Sequence, residues 1–331
     1  ALAAIMLIGM MVVSASAVSY NDLTDKDQIV NKDAVSMLVS LGIIEGKPDG
    51  SYGPTENVDR AQMAKMLSVI MNKGVDNSAL YQSVNSGLTD ITSHWAKGHI
   101  NYCYTTGIIA GRGNGKFDPD AGVTGSEAAK MLLVAAGYDP AIEGLTGTDW
   151  EINTNALASK LGIFRNFKGS VAEPLSRDNA ALLIYNALDV EMIESYTNNG
   201  YAMAYSDART ILSSMYGVYK VEGVVTGNEW AQLEDTDSED ALATGKTKMD
   251  HVKVYKSTTS NTVVGEYEEE KNPVIFNVST PVDMLGQTVT MYVRKTTVLA
   301  NSEVLGVYVN GNNNVVKTTA DTQDTMKDFL K

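Results

Sequence analysis

The feature that most constrains this fold is an internal repeat. Residues 41–67 return as residues 106–132, with their glycines, their proline and the following segment in the same register. The matched pairs are Gly46 and Gly111, Gly50 and Gly115, and Pro54 and Pro119, each separated by 65 positions. A third, weaker copy runs over residues 161–188. Repetition at this spacing predicts a fold assembled from like units that pack against one another.

Each repeat is predicted to contain a helix, a glycine-rich turn and a second helix. In the first repeat, apolar residues recur at helical spacing from Ile29 to Leu41, and Gly42 stands where that helix should end. Residues 46–50 (Gly-Lys-Pro-Asp-Gly) have the composition of a tight turn. The chain should therefore reverse direction between the two helices of each repeat.

The second helix of each repeat is predicted to begin at a polar N-cap. The equivalent N-cap residues are Asp59, Thr124 and Ser176. Gln62 and Glu127, three residues after the first two caps, predict capping boxes, and Asn179 gives the third repeat a weaker version.

The composition favours an ordered, acidic protein of more than one domain. A chain of 331 residues is long for one hydrophobic core, and 44% of it is hydrophobic. The net charge of −14 argues against nucleic acid or anionic lipid as a partner, because like charges repel. Cys103 is the single cysteine, so no intramolecular disulfide can form.

The first residues have the pattern of a signal peptide. Residues 1–13 form an apolar run too short to span a bilayer, and Ala15 and Ala17 supply an A-x-A cleavage signature. We expect residues 1–17 to be a partial signal and the mature protein to start near Val18, exported and free of the membrane. The alternative, a buried N-terminal helix, fits less well because the polar residues 19–22 follow at once.

The composition changes after residue 192. We expect residues 193–216 to be a linker with a short helix over 207–215, capped by Ser206 or Asp207. Over residues 217–315, six β-branched or aromatic runs predict a small antiparallel barrel or sandwich. The runs are 218–225, 250–255, 262–264, 274–278, 288–293 and 304–309. Residues 316–331 are expected to be the start of a further segment or a truncated end.

The repeats resemble the S-layer homology (SLH) repeat. The second copy carries most of the pattern: Leu88-Thr89-Asp90, His94-Trp95-Ala96, Gly107-Ile108-Ile109-Ala110-Gly111 and Gly115-Lys116-Phe117-Asp118-Pro119. The first copy has Leu23-Thr24-Asp25 in register but Val30 in place of the tryptophan, and the third keeps Trp150 and a reduced turn. The resemblance covers about residues 21–190, and the β-rich part more weakly resembles modules that follow such repeats.

The resemblance implies a multi-domain α+β protein. Its N-terminal part would be a mainly helical pseudo-trimer of three SLH repeats, over residues 21–74, 86–140 and 145–192, followed by the small antiparallel β barrel or sandwich. Family members dock non-covalently on secondary cell-wall polysaccharide of a Gram-positive-type envelope. We therefore expect a secreted protein of the cell surface, located in the cell wall or S-layer.

The resemblance also implies a ligand site. In family members an arginine at the start of the second helix, with groups near the G-I-I-x-G loop, recognises a negatively charged sugar, often a pyruvylated amino sugar. A guanidinium pairs with a carboxylate in a planar fork, and a helix N-terminus adds backbone donors. The second repeat has Gly125 at the arginine position, so its groove is either inactive or served by Arg112. The candidate polysaccharide ligands are Arg60, Arg177, Arg112, Asp59, Thr124, Ser176, Trp95 and Asp90.

The arginines and tryptophans also have structural interpretations. Arg60 and Arg177 could be solvated cations at helix starts, but the helix dipole disfavours that, so ligand or inter-lobe contacts are the preferred interpretation. Trp95 and Trp150 lie on apolar helical faces and are better interpreted as core aromatics than as sugar-stacking platforms.

The remaining polar candidates support no cofactor, metal site or catalytic motif. Asp25 and Asp90 divide evenly between hydrogen-bond acceptors, as caps or between repeats, and sugar ligands. His99 and Cys103 stand at i, i+4 but lack a second pair of zinc ligands. The acidic residues 234–240 depart from the calcium-loop pattern, so structural calcium is kept only as a weak alternative.

We therefore expect a non-enzymatic structural protein of an S-layer, anchored by its repeats and able to self-associate into a surface lattice. The alternative is the wall anchor of a cell-bound hydrolase or adhesin whose active domain lies beyond residue 331. A third hypothesis, a secreted β-protein with degenerate repeats that bind nothing, rests on Gly125 alone.

Overall fold

A computed structural model describes residues 20–233, 241–255, 263–266, 273–309 and 313 of the chain. The expected signal peptide, the acidic residues 234–240 and the segment 316–331 lie outside these described residues. The chain divides into two compact units, one of residues up to Gly217 and the other from Val218 onward. The first unit is mainly helical and the second is a β-sheet.

The helical unit contains two main helices in each repeat. The repeat helices are α1 Lys32–Ser40, α2 Arg60–Met71, α3 Lys97–Thr105, α4 Gly125–Ala135, α5 Trp150–Lys160 and α6 Arg177–Leu188. A shorter helix, α7 Ile211–Tyr216, follows the third repeat. The first predicted helix begins later than the apolar pattern suggested, because Ile29 packs in the core before the helix opens at Lys32. A 3-10 turn over Lys26–Gln28 leads into that residue.

The predicted caps of the second helices are confirmed. Asp59 and Thr124 each accept a hydrogen bond from the backbone N–H three residues later, and Gln62 and Glu127 return the reciprocal bonds of a capping box. Ser176 accepts only the forward bond. These caps fix where α2, α4 and α6 begin, and hence which side chains occupy their first turns.

The three repeats are joined by a closed circuit of backbone hydrogen bonds. The N–H of Val58 donates to the carbonyl of Leu175, that of Leu175 to Val123, and that of Val123 back to Val58, each at 2.9 Å. The helix starts add inter-repeat bonds that run in the opposite direction, since the N–H of Arg60 donates to Ala121 of the second repeat and the N–H of Arg177 to Glu56 of the first. Each repeat therefore holds the next, and the third holds the first.

The glycine-rich turns are organised by two half-buried carboxylate acceptors. Asp25 accepts from the N–H groups of Tyr52 and Gly53, and Asp90 accepts from those of Phe117 and Asp118. These bonds lie within one repeat rather than between repeats, which corrects the inter-repeat role considered for the two aspartates. They place the rings of Tyr52 and Phe117 in the core, 1% and 0% exposed.

The segment after α6 contains structure that the sequence analysis missed. Two short strands, β1 Ile193–Tyr196 and β2 Ala202–Ala204, pair as an antiparallel hairpin in the predicted linker. The helix predicted over 207–215 instead begins at Ile211, because Thr210 forms the capping box with Ser213. No helix among the described residues is both long enough and apolar enough to cross a membrane.

The second unit is a single curled antiparallel sheet. Its strands are β3 Val218–Asn228, β4 Thr247–Tyr255, β5 Val263–Glu266, β6 Val274–Phe276, β7 Thr288–Arg294 and β8 Glu303–Val309. Their order is β5-β4-β3-β7-β8, and β6 also pairs with β4. All six predicted strands are present, but the described strands form one sheet with open ends rather than the two sheets of the predicted sandwich or a hydrogen-bonded barrel.

One face of the sheet carries the core of this unit. Alternate residues of neighbouring strands meet there, including Val221, Met249, Val289 and Met291, all fully buried. A bulge at His251, whose φ is +51°, lies opposite Gly223, where an added Cβ would stand 2.9 Å from a backbone oxygen of β4. The close strand approach thus requires the glycine.

Candidate functional site

Three cavities lie between the repeats of the helical unit. Each is lined by the loop after the first helix and by the second helix of one repeat. Both neighbouring repeats add side chains to two of the cavities, and the first repeat alone adds them to the cavity of the third repeat. We call them the first, second and third grooves, after the repeat that supplies the loop. Their volumes are about 470, 310 and 510 Å³ respectively.

Arg60 crosses from the first repeat into the second groove. Its Nε donates to the carbonyl of Phe117 at 2.9 Å and its Nη2 to the carbonyl of Ala110 at 3.0 Å. The guanidinium lies 4.4 Å from the centre of the Phe117 ring, and the residue is only 3% exposed. Arg60 thus makes the inter-lobe contact that the sequence suggested.

Arg177 repeats this arrangement from the third repeat into the first groove. Its Nε donates to the carbonyl of Tyr52 at 2.8 Å and its Nη2 to that of Glu45 at 3.3 Å. Its guanidinium lies 4.8 Å from the Tyr52 ring centre. Each arginine therefore serves the groove of the following repeat rather than its own.

Because each arginine enters the groove of the following repeat, the glycine at the equivalent position, Gly125, affects the third groove rather than the second. Gly125 faces the third repeat, where an added Cβ would stand 2.9 Å from Cα of Val171. The sequence analysis assigned the missing arginine to the second groove, and this was wrong, because the side chain at this position points toward the next repeat. The second groove keeps its arginine from Arg60, and the third groove is the one without it.

The second groove concentrates positive charge. Three cations line it, Arg60, Arg112 and Lys130, against the single carboxylate of Glu127. Glu127 Oε1 accepts from Arg112 at 2.7 Å and from Arg60 at 3.2 Å, and Oε2 caps the helix. Burial, and then the charge of Arg60, lower the pKa of Lys130. An anion entering here would meet an excess of two positive charges.

Trp150 adds an aromatic wall to the second groove. The Nζ of Lys130 lies 5.2 Å from the Trp150 ring centre, and both residues line the cavity. Trp150 is half-buried rather than enclosed, because it stands at the first turn of α5. A sugar ring in the groove would find a flat apolar surface beside the cations.

The first groove has a similar arrangement of cations and a tryptophan, but two carboxylates line it instead of one. Arg177 and Lys65 line it together with Glu45 and Asp76, and Lys65 lies 3.9 Å from Glu45. Trp95 from the second repeat forms its wall and is 55% exposed. The interpretation of Trp95 as a core aromatic is therefore wrong, because it stands before α3 opens rather than on the buried face.

The third groove lacks the arginine, the tryptophan and the helix lysine that line the other two grooves. Gly125 replaces the arginine, Val30 stands where Trp95 and Trp150 stand, and Leu182 replaces the lysine of α2 and α4. Asn31 bridges from the first repeat to Asp178, with Nδ2 donating to its carboxylate at 2.8 Å. The cavity is still present, but its lining side chains differ from those of the first and second grooves.

The other predicted site residues have structural partners. The side-chain oxygens of Asp59, Thr124 and Ser176 accept the hydrogen bonds that cap α2, α4 and α6. Asp90 holds the turn before Phe117. Arg112 lies at the mouth of the second groove, with its side chain 40% exposed.

The sequence analysis missed the two groove lysines. Lys65 and Lys130 occupy the same position of the repeated Ala-Lys-Met-Leu segment, and the third copy has Leu182 there. The signal was present in the alignment of the repeats, but a lysine on a helix is normally solvated, so it was not singled out.

His99 and Cys103 each contact other groups of the protein. His99 Nδ1 lies 2.6 Å from Ser68 Oγ, and Nε2 lies 3.6 Å from Asp76 Oδ2. Cys103 is buried and donates to the carbonyl of Ala64. Within the described ranges, no three His, Cys, Asp or Glu side chains gather as a metal would require.

Comparison with known proteins agrees with this architecture. Residues 19–64 and 87–129 match the model of the S-layer homology domain. The chain is 28% identical over 264 residues to a cell surface protein of Thermoanaerobacter kivui, covering 78% of this chain and 32% of that protein. It is 32% identical over 120 residues to an S-layer protein of Bacillus licheniformis, covering 36% and 13%.

An enzyme also matches. The chain is 28% identical over 188 residues to an exoglucanase of Acetivibrio thermocellus, covering 52% of this chain and 16% of that protein. The chain thus spans a third or less of the length of each of these relatives.

The class that emerges is an extracellular cell-surface protein built on helical repeats with inter-repeat grooves. The first and second repeats match the S-layer homology domain, and the chain is similar to proteins described as cell surface and S-layer proteins.

Proposed function

We propose that this chain anchors a surface protein to the cell wall by binding an anionic secondary wall polysaccharide in its first and second grooves. The observation that carries the proposal is the second groove, where Arg60, Arg112 and Lys130 face one carboxylate beside Trp150. An excess of cations in a chain of net charge −14 is a local feature that selects an anion.

The proposed ligand is a sugar polymer that carries carboxylates, such as pyruvylated amino sugars. Arg112 and Lys130 would pair with a carboxylate of the ligand, and the Trp150 ring would contact the apolar face of a sugar. Arg60 donates to two backbone carbonyls and to Glu127 and is almost fully buried, so its role would be to shape the groove and add charge. The first groove would act in the same way through Lys65, Arg177 and Trp95.

We further propose that the three repeats form a three-lobed pseudo-trimer. The closed circuit between Val58, Val123 and Leu175 supports this arrangement. Two charged grooves on one body would bind two points of the same polymer, which raises the overall avidity without new contacts.

The test is co-sedimentation of the whole chain with purified cell walls of a Gram-positive bacterium that carries pyruvylated wall polymer. Walls are compared before and after removal of that polymer. We expect binding only to intact walls, and about five- to tenfold weaker binding for Arg112→Ala and for Lys130→Ala. Lys160→Ala is the matched control, because it removes the same charge from α5 outside the grooves.

Three results would contradict the proposal. Equal binding to stripped walls would identify peptidoglycan as the ligand, and no binding to either wall would remove the anchoring function. Equal losses in Lys160→Ala and Lys130→Ala would show a general charge effect rather than a groove.

Two candidate functions remain for the protein that this anchor holds at the wall, and they differ in the domain joined to the anchor. We propose an S-layer or S-layer-associated protein that self-associates, as the S-layer relative suggests. The similarity to an exoglucanase favours, as the second candidate, the anchor of a cell-bound hydrolase. The full open reading frame distinguishes them: further β modules fit a lattice protein, and a domain with paired catalytic carboxylates fits a glycosidase.

A further inference from the structure

We propose that His99 is a pH-responsive positioning residue of the first groove: when its ring gains a proton, it neutralises Asp76 and strengthens the binding of an anion there. The proposal rests on the anionic ligand proposed for this groove and adds its regulation. It is carried by the hydrogen-bond geometry of His99, by the charges that line the groove and by the contact of His99 with Trp95.

His99 lies buried at the contact between the first and second repeats. It belongs to α3 of the second repeat, is 4% exposed, and reaches Ser68 on α2 of the first. Its Nδ1 lies 2.6 Å from Ser68 Oγ, and its Nε2 lies 3.6 Å from Asp76 Oδ2. Asp76 follows α2 in the chain, so both partners of the imidazole belong to the first repeat.

Only the charged form of the His99 ring suits both partners. The Ser68 hydroxyl has one hydrogen, which it donates to the carbonyl of Lys65 at 2.9 Å, so Nδ1 must donate to Oγ. A neutral ring with its proton on Nδ1 turns the lone pair of Nε2 toward the Asp76 carboxylate. The imidazolium carries a hydrogen on each nitrogen, so it bonds Ser68 and pairs with Asp76 at once.

Two residues beside His99 line the first groove. One is Asp76, whose side chain is 52% exposed, and the other is Trp95. The rings of Trp95 and His99 meet edge to face, with 6.4 Å between their centres. The imidazole therefore lies directly behind one carboxylate and the aromatic wall of the groove.

The charge of His99 decides how strongly the first groove attracts an anion. Three cations line this groove against two carboxylates, which leaves an excess of one positive charge. These residues are Lys47, Lys65, Arg177, Glu45 and Asp76. A proton on His99, behind Asp76, raises the excess to two, as in the second groove. Among the described residues that line the second groove there is no histidine, so the two grooves should respond differently to pH.

The groups around His99 set the pH at which it responds. Burial lowers the pKa of His99 below its ordinary value of 6.5, Asp76 opposes that shift, and the charge of Lys65 adds to it. His94, in the segment before α3, pairs with Asp120 instead, with Nε2 at 3.2 Å from Oδ1. An anion in the first groove should therefore bind more tightly as the pH falls through the lowered pKa of His99.

The first measurement is the fluorescence of Trp95 in the whole chain as a function of pH. Trp150→Phe and Trp230→Phe leave Trp95 as the one tryptophan of the original three, so its emission reports the first groove. Without ligand, its emission should change with a midpoint below 6.5, and His99→Gln should abolish that change. His94→Gln is the matched control and should keep it, although that ring centre lies only 5.5 Å from the Trp95 ring centre.

The second measurement titrates the same chain with soluble wall polymer, released enzymatically from the walls used for sedimentation. Between about pH 7.5 and about pH 5 we expect binding to become about threefold tighter, because His99 gains a charge beside a solvent-exposed carboxylate. Asp76→Asn should bind at both pH values as tightly as wild type does at the lower one, since it removes that carboxylate. Its amide oxygen can still accept from the N–H of Ser78. His99→Gln should stay at the weaker affinity.

A wild-type affinity that does not change with pH would overturn the proposal and leave the anchoring function standing. Retention of the pH response in both Asp76→Asn and His99→Gln would also overturn it, since another group would then be responsible. Absence of polymer binding at every pH would remove the anchoring function and this regulation with it. Because Asp76 is half exposed, Asp76→Asn decides the matter even if His99→Gln does not fold.

Discussion

The Cys103 thiol donates to the carbonyl oxygen of Ala64 at 3.4 Å, so one buried sulfur joins α3 of the second repeat to α2 of the first. Burial also raises the pKa of the Cys103 thiol. We predict that the native chain reacts with a thiol reagent at pH 8 only after the repeats separate, because a buried thiol is inert. The labelling rate measures that opening.

The control for this prediction is the same chain in denaturant, where Cys103 should label at the rate of a free thiol. Arg60→Ala should speed labelling of the native chain, since it removes the contacts of α2 with the second repeat. Rapid labelling of the unperturbed native chain would contradict the buried placement.

Arg60→Ala should destabilise the helical unit more than Arg112→Ala. Loss of Arg60 leaves the carbonyls of Phe117 and Ala110 without its donors in a buried site, at a cost of about 3 kcal/mol. Arg112 is a partly exposed partner of Glu127, and such pairs contribute less than about 1 kcal/mol. Urea unfolding followed by helical circular dichroism measures both. Equal losses would show that Arg60 does not lock the repeats.

Gly125→Ala should destabilise the chain even though alanine favours helices. The added Cβ would meet Cα of Val171 at 2.9 Å, and relieving that overlap costs about 1 to 3 kcal/mol. Gly169→Ala is the control, because its Cβ would meet only the ring edge of Phe167, which can move. Thermal unfolding compares the two variants, and a Gly125→Ala variant as stable as wild type would refute the close approach.

Asp90 should make the fold sensitive to acid. Burial opposes its ionisation, but the N–H groups of Asp118 and Phe117 outweigh that effect and lower the pKa of Asp90 below its ordinary value of 3.8. A lowered folded pKa gives stability that is present above the unfolded value and is lost as the pH falls through the folded one. We predict a drop in the midpoint temperature below about pH 4 that is smaller in Asp90→Asn.

The control for the acid prediction is Asp149→Asn, which removes an exposed carboxylate that makes no capping bond. It should keep the full drop in midpoint temperature. If Asp90→Asn kept the same drop, the backbone bonds to Asp90 would not be a source of the acid sensitivity.

Trp95→Ala should weaken wall binding without unfolding the protein. Trp95 is 55% exposed, so its removal should change the free energy of unfolding by less than about 1 kcal/mol. Trp230→Ala in the β unit is the matched control, since Trp230 is 63% exposed and lies in no groove. Sedimentation with intact walls should fall for Trp95→Ala alone. Equal binding by both variants would remove Trp95 from the site.

Local features of the fold followed from the sequence. The caps at Asp59, Thr124 and Ser176 and the six strand segments depend on neighbouring residues, and their signals are short-range. The β1–β2 hairpin was not predicted because its strands are only four and three residues long. The cap at Thr210 was not predicted, because Ser206 and Asp207, a few residues before it, are equally good N-cap residues.

The grooves could be predicted only in part. Arg60, Arg112 and Arg177 were recognised as site candidates. The groove that Arg60 and Arg177 enter, however, depends on packing between repeats 50 or more positions apart. The sequence alone therefore assigned Gly125 to the wrong groove. The position of Trp95 was missed for a related reason, because a helical spacing argument fails for a residue that precedes its helix.

Because each groove takes side chains from neighbouring repeats, no repeat is a unit of binding. The third repeat supplies Arg177 to the first groove and Trp150 to the second. A gene that lost it would lose parts of both charged grooves at once, and a gene that gained a fourth copy would have no place for it in the circuit of Val58, Val123 and Leu175. A further copy would have to pack outside this circuit.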